Sequence, residues 1–323
     1  NITIANNKFI GSPHASVVAI RTHSTYGLDI ISCEGIGLHS LGQIYAQSKY
    51  LHVTDCAVTG GSGINYYGPS DAVITNLIVE VDPEKAESYG VRAGQGQGTV
   101  NANGKLTVID SNLTARYPIW LRGDAPGTVE IINSVLTPYA GGDVILDATT
   151  SGKVSITIDG KRLAIVKTEA ELKNALKDAD IGYIIIGADI DLTDYVTISR
   201  PVVLDGYNHM ISGDSSSAGI RNNQILFLLK SNDITIKNLT IKSPAYYDKA
   251  VGINVFGGGY TGIVIDNVTC ENTRYGVYVN GQNSEVTITN SVFRNLGNGG
   301  IAVADAAVIR GTTFSTIANN YVE

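Results

Sequence analysis

The 323 residues carry 43% apolar but only 16% charged side chains, with 36 glycines, one methionine and one tryptophan, a profile that excludes a helical bundle or coiled coil, which needs Ala, Glu, Lys and Leu in bulk. Lys and Arg number 23 against 30 Asp and Glu, a formal net charge of −7, which excludes a phosphate-neutralising surface and with it a nucleic-acid partner. No apolar run approaches the roughly 20 residues of a membrane span, and three cysteines are too few for a disulfide scaffold.

From its first residue the chain repeats one pattern of slots: apolar, any, apolar, any, Asn-like, any, any, apolar. It reads Ile2-Thr-Ile4-Ala-Asn6-Asn-Lys-Phe9, then Leu51-His-Val53-Thr-Asp55-Cys-Ala-Val58, then Val129-Glu-Ile131-Ile-Asn133-Ser-Val-Leu136. Short strands precede most copies: Gly63-Ile-Asn-Tyr, Tyr89-Gly-Val-Arg and Tyr117-Pro-Ile-Trp-Leu. Alternation with period two puts Ile64, Val91, Ile119 and Leu121 inward. It therefore puts Asn65, Arg92, Trp120 and Arg122 outward, together with Tyr45, Gln47, Tyr67 and Asp147. Cys33 and Cys56 occupy equivalent slots one coil apart, within reach of a disulfide, and read as side-by-side free thiols rather than as a bridge. Arg122-Gly-Asp124 aligns with Asn280-Gly-Gln282 further on, and both read as turns that close a strand.

Near the middle the pattern changes. Thr168-Glu-Ala-Glu171 has the spacing of a capping box, and Leu172, Ala175, Leu176 and Ala179 fall on one helical face, which predicts a short helix near 168–179. The repeat then returns as Ile234-Thr-Ile236-Lys-Asn238-Leu-Thr-Ile241, Ile263-Val-Ile265-Asp-Asn267-Val-Thr-Cys270 and Val286-Thr-Ile288-Thr-Asn290-Ser-Val-Phe293, with steps of 29 and 23 residues. Val251-Gly-Ile-Asn-Val and Tyr275-Gly-Val-Tyr-Val are its preceding strands, which puts Asn254, Phe256, Tyr278 and Asn280 outward. Asn238-Leu-Thr and Asn267-Val-Thr match a glycosylation sequon, with both asparagines expected inward. Both ends of the sequence fall inside repeat units, so the chain reads as an excerpt of something longer from which any targeting segment has been removed.

Such a repeat predicts a solenoid: coils of about 20–30 residues, each of two or three short strands, stacked about 4.8 Å apart so that every backbone group pairs with the coil above and below. An asparagine column at one corner suits it, because the amide both donates and accepts and asparagine tolerates the left-handed backbone of a tight corner. Asn6, Asn76, Asn133, Asn238, Asn267 and Asn290 fill that slot.

On these residues the chain resembles the right-handed parallel β-helices of the pectin lyase-like superfamily, and specifically bacterial extracellular and surface β-helix proteins. The resemblance implies an all-β fold of two tandem β-helix segments. Residues 1–160 would be the C-terminal coils of a first helix, and 161–323 the N-terminal cap helix and coils of a second. One continuous solenoid with an insertion is the rival arrangement. The resemblance also implies that substrates lie along the outer face of one sheet. There Tyr45, Asn65, Tyr67, Arg92, Trp120, Arg122, Asn254, Tyr278 and Asn280 are the candidate ligand-binding residues, aromatic faces packing on sugar C–H surfaces and guanidinium groups pairing with uronate carboxylates.

The catalytic strings of polygalacturonase-like enzymes, Gly-His-Gly and Arg-Ile-Lys, do not occur. Inverting hydrolysis would need two carboxyls brought together from Asp124, Asp143 and Asp147, which requires the loop after Trp120 to fold over the sheet. A pectate lyase-like reaction would draw its base from Arg92 or Arg122 and would need calcium, for which no stacked carboxylates are found. Otherwise no cofactor or metal is expected. The expected function is a non-catalytic, glycan-binding or adhesin-like module at the cell surface or outside a bacterial-type cell, with a polysaccharide or surface glycan as partner. A polysaccharide lyase or glycoside hydrolase is the alternative, and a phage or virion fibre part the second.

Overall fold

The computed structural model describes residues 1–11, 17–23, 26–44, 49–67, 71–85, 87–95, 99–139, 141–149, 153–213, 225–243, 250–280, 284–303, 313–318 and 321–322. Strands make up 63% of it, with one short helix, and the pairings are parallel throughout the stacks: the protein is a parallel β-helix. It divides into two compact units, Asn1–Gly160 and Lys161–Glu323. No described helix is long and apolar enough to cross a membrane.

In the first unit the inward slots stack rung over rung. Leu28, Leu51 and Ala72 align, then Leu106 and Val129. Ile30, Val53, Ile74, Val108 and Ile131 do the same, and all of them are buried. Each leucine, isoleucine and valine contributes on the order of 1.5–3 kcal/mol of apolar burial, and none can be buried until a neighbouring coil stacks. Cys33 and Cys56 are adjacent free thiols; the Cys33 amide donates to Cys56 Sγ at 3.4 Å, and burial pushes the Cys56 thiol up to about 11.

In the second unit the helix runs Glu169–Lys177 with Thr168 as its N-cap. The Glu171 amide donates to Thr168 Oγ1 at 3.2 Å, and the Glu171 carboxylate accepts from the Lys167 amide at 2.7 Å. The capping box is thus closed one residue further back than its usual form. Leu172, Ala175 and Leu176 enter the core. Ala179 does not: the helix has ended, and it lies exposed. Beyond the cap, Leu204, Ile236, Ile265 and Ile288 stack as one inward row.

The corner residues adopt the left-handed backbone. Asn6, Asp55, Asn76, Asp110 and Asn133 have φ of 45–59°, and Asn238, Asn267 and Asn290 have φ of 52°. Their amides link rungs: Asn76 Nδ2 to Asp55 Oδ1 at 2.8 Å, Asn133 Nδ2 to Asp110 Oδ1 at 2.6 Å, and Asn267 Nδ2 to Asn238 Oδ1 at 2.9 Å. The expectation that Asn238 and Asn267 point inward is corrected. The corner turns the side chain out of the coil, leaving Asn267 exposed and Asn238 half-buried. Asn267→Val is expected to destabilise by about 1–3 kcal/mol, because a β-branched residue is strained at positive φ. Asn267→Gly, which loses only the amide bond, costs less. Urea denaturation checks the order, and equal losses from both would show that the backbone conformation is not what asparagine supplies.

Candidate functional site

The outward face of the first unit is built on six parallel strands: Val18–Thr22, Ser40–Ile44, Ser62–Tyr66, Tyr89–Ala93, Tyr117–Leu121 and Ile145–Asp147. Their register places Ile64, Val91, Ile119 and Ile145 in one inward row. The next position along is outward and reads Arg21, Gln43, Asn65, Arg92, Trp120, Leu146. Just past the strand ends, Tyr67, Gly94 and Arg122 share a third row through Gly94 N–H to Tyr66 O at 3.0 Å and Arg122 N–H to Ala93 O at 2.8 Å. Five of the candidate side chains (Asn65, Tyr67, Arg92, Trp120, Arg122) therefore meet on one face. Tyr45 and Gln47 lie outside the described residues.

Arg92 is the hub. Its Nε donates to Asn65 Oδ1 at 3.0 Å and its Nη2 to Tyr67 Oη at 3.2 Å, while Asn65 Nδ2 donates to Tyr67 Oη at 2.7 Å. The guanidinium lies 4.7 Å from the Tyr89 ring centroid and 5.2 Å from that of Trp120, and Arg122 approaches the Trp120 ring at 5.4 Å, within cation–π range. Tyr117 packs against Trp120 at 5.3 Å. Further along the same row, Arg21 donates to Gln43 Oε1 through Nε at 3.0 Å and Nη2 at 2.6 Å.

Burial pushes the Tyr67 phenol up, but the hydrogen bond from Asn65, the charge of Arg92 and bonds from Gln43 and Arg92 outweigh it, and the phenol ends below the usual tyrosine range. Tyr50, Tyr66, Tyr89, Tyr139 and Tyr207 all move the other way. His39 is held down by burial first, then by the charges of Arg92 and Lys85.

Two expectations are corrected here. Asn65 occupies the outward row yet is only 2% exposed, because Arg92 and Tyr67 close over it. Trp120 is half-buried, with Arg92 and Arg122 against its ring, so it is not the open stacking platform that alternation implied. Asp147 is exposed but pairs with Leu121, a different row from Arg92 and Trp120. Its Oδ1 accepts from the amide and hydroxyl of Thr149 at 3.0 and 2.6 Å, and the Asp124 carboxylate accepts from the Gln95 amide. The Asp147 carboxylate thus closes a local turn, and that of Asp124 ties its turn to the coil before it.

The charge pattern distinguishes this face. Elsewhere in the unit Lys8 pairs with Glu34 and Lys105 with Glu130, each at 2.9 Å. Among the described residues no carboxylate stands within 4.0 Å of Arg21, Arg92, Arg116 or Arg122, and no group of three or more His, Cys, Asp or Glu converges as a metal site would require. Sequence reasoning missed Arg21, Gln43 and Tyr89. The signal for the first two was the same alternation, one and two coils earlier.

In the second unit the five-stranded sheet carries Thr197, Leu228, Asn254, Tyr278 and Ala302 in its outward row. Asn254 is 6% exposed, again covered rather than presented. Tyr278 stacks on Tyr275 with centroids 5.3 Å apart. Asn280 lies in register with Phe256, whose ring receives Lys230 at 5.6 Å.

Residues 163–298 match the family model described as "Putative pectate lyase-like adhesive domain". Searches of the curated proteins and of the solved structures returned no match.

Proposed function

We propose that the chain is an adhesive β-helix module of the pectate lyase-like kind, working outside the cell or on its surface, and that it holds acidic glycans against the outward rows of its first unit. The observation that carries this is the set of guanidinium groups without carboxylate partners on a chain of net charge −7. A polyanion meets there fixed cations with donors to spare, and a guanidinium pairs with a carboxylate in two directed hydrogen bonds. Tyr67, Tyr89 and Trp120 hold Arg92 in place, which lowers the ordering cost of binding.

Titration with oligogalacturonate and with a neutral galactan of equal length tests the reading. The acidic chain is expected to bind, more weakly as salt rises, and Arg122→Ala is expected to weaken it about tenfold, the scale of one charge-assisted bond. Equal binding of the neutral chain, or binding untouched by both Arg122→Ala and Trp120→Ala, overturns it.

One observation favours a second reading, elimination of a bound uronate: the lowered phenol of Tyr67 beside Arg92 is deprotonated in a larger fraction near neutral pH than an ordinary tyrosine, and so more available to take a proton. On that reading an unsaturated product forms faster as pH rises through the Tyr67 titration, and Tyr67→Phe removes it without removing binding.

A further inference from the structure

The second unit holds a cavity of about 590 Å³ between the cap helix and the strand Val196–Ile198, and its lining includes Lys173, Lys177, Tyr195, Thr197, Ser199 and Arg200. Its size falls in the range of small-ligand sites. Two sets of contacts fix its walls. Glu169, in the first turn of the helix, accepts from the amide and hydroxyl of Thr193 at 3.1 and 2.8 Å, from the Asp194 amide at 3.1 Å and from Lys173 Nζ at 2.7 Å, tying the 193–195 turn to the helix. At the other end Arg200 donates to the carbonyls of Leu176, Ala175 and Pro201 at 2.9, 2.8 and 3.1 Å, satisfying helix-end acceptors that otherwise lack partners.

The inner surface is chemically uncommitted. Lys177 has no carboxylate partner among the described residues, and Lys173 is the one lysine of the wall already paired, with Glu169. Arg200 spends three of its five donors on carbonyls and has no ion pair within 4.0 Å among the described residues; burial lowers its pKa, with the charge of Asp178 opposing. The hydroxyls of Tyr195, Thr197 and Ser199 likewise carry no side-chain hydrogen bond among the described residues. Asp194, whose Oδ1 takes only the Tyr195 amide at 2.8 Å, is the carboxylate of the lining. Thr197 is also the first rung of the outward row of the five-stranded sheet, so the cavity stands at the end of that face, with the helix as one wall.

The geometry points to a terminal-sugar site for a hexuronic acid. The ammonium of Lys177 and the guanidinium of Arg200 take the carboxylate. Thr197, Ser199 and Asp194 take ring hydroxyls, the Asp194 carboxylate accepting from them, and the Tyr195 ring packs against the C–H face. Because the helix blocks the far end, the cavity binds a single residue or chain end. The outward rows of the first unit accommodate a chain along its length.

Calorimetric titration of the full chain with free galacturonic acid, galactose and acetate tests this. Galacturonic acid is expected to bind, with galactose and acetate each at least about tenfold weaker, since each lacks half of the recognised chemistry. Lys177→Glu is expected to lose about tenfold or more, and Ser199→Trp, which fills the cavity from an exposed position, to abolish binding there. No binding in the millimolar range, acetate binding as well as the sugar acid, or loss with Arg92→Ala but not with Lys177→Glu overturns the assignment. Because the variants lie in different units, failure of the first-unit reading leaves this result standing, and the reverse.

Discussion

Phe293→Ala is expected to cost about 3–5 kcal/mol in urea denaturation, the scale for truncating a buried aromatic ring. Phe293 is fully buried and lies in the inward row Ile211, Ile241, Cys270, Phe293, in register with Val322 of the following strand, so the neighbouring coils cannot refill the space without breaking register. Its ring also explains a small residue in the sequence. A methyl group added to Gly276 would collide with the ring edge and meet the Gly300 carbonyl oxygen at 2.7 Å. Gly276→Ala alone is therefore expected to cost about 1–3 kcal/mol by overpacking. In the Phe293→Ala background the part of that cost due to the ring disappears while the contact with the Gly300 carbonyl remains, giving a coupling of about 0.5–3 kcal/mol between the two sites. Additive losses would show that the backbone at Gly276, rather than the ring, excludes a side chain.

Arg92→Ala is expected to do two things at once. Binding of oligogalacturonate falls at least about tenfold, because the charge and two directed donors go together. The Tyr67 phenol then titrates higher than in the native protein, since the charge and hydrogen bond of Arg92 help to hold it down; spectrophotometric titration of the tyrosines reads this directly. Asn65 Oδ1 loses its donor in a buried setting, which adds about 1–3 kcal/mol of instability. Arg92→Lys restores the charge but not the fork that spans Asn65 and Tyr67, so it recovers the salt dependence of binding better than the affinity. An unchanged Tyr67 titration in Arg92→Ala would remove the network as the cause of its shift.

Most of the architecture was legible in the chain itself. Asn6, Asn76, Asn133, Asn238, Asn267 and Asn290 recur at the slot where the backbone turns left-handed, and Thr168 with Glu171 marks the one helix start. These are local properties: a φ value that few side chains tolerate, a pleat that sends alternate residues to opposite faces, a cap that needs one oxygen three residues away. Alternation likewise named Asn65, Arg92 and Trp120 as one row, and the register agrees.

What lies above that row was not legible. Whether an outward side chain meets solvent depends on residues one rung away, and one rung is about 20–30 positions distant in sequence: Arg92 to Asn65 is 27, Arg92 to Tyr67 is 25. The same holds for the cavity beside the cap, where Arg200 reaches back 25 residues to Ala175 and Glu169 reaches forward 24 to Thr193. The sequence by itself determined the coil, its inward rows, its corner and its cap, because each follows from a short stretch of backbone and its alternation. Only the tertiary structure decided which outward groups are covered, which cations are left without partners and where a cavity opens, because those follow from side chains that stacking alone brings together.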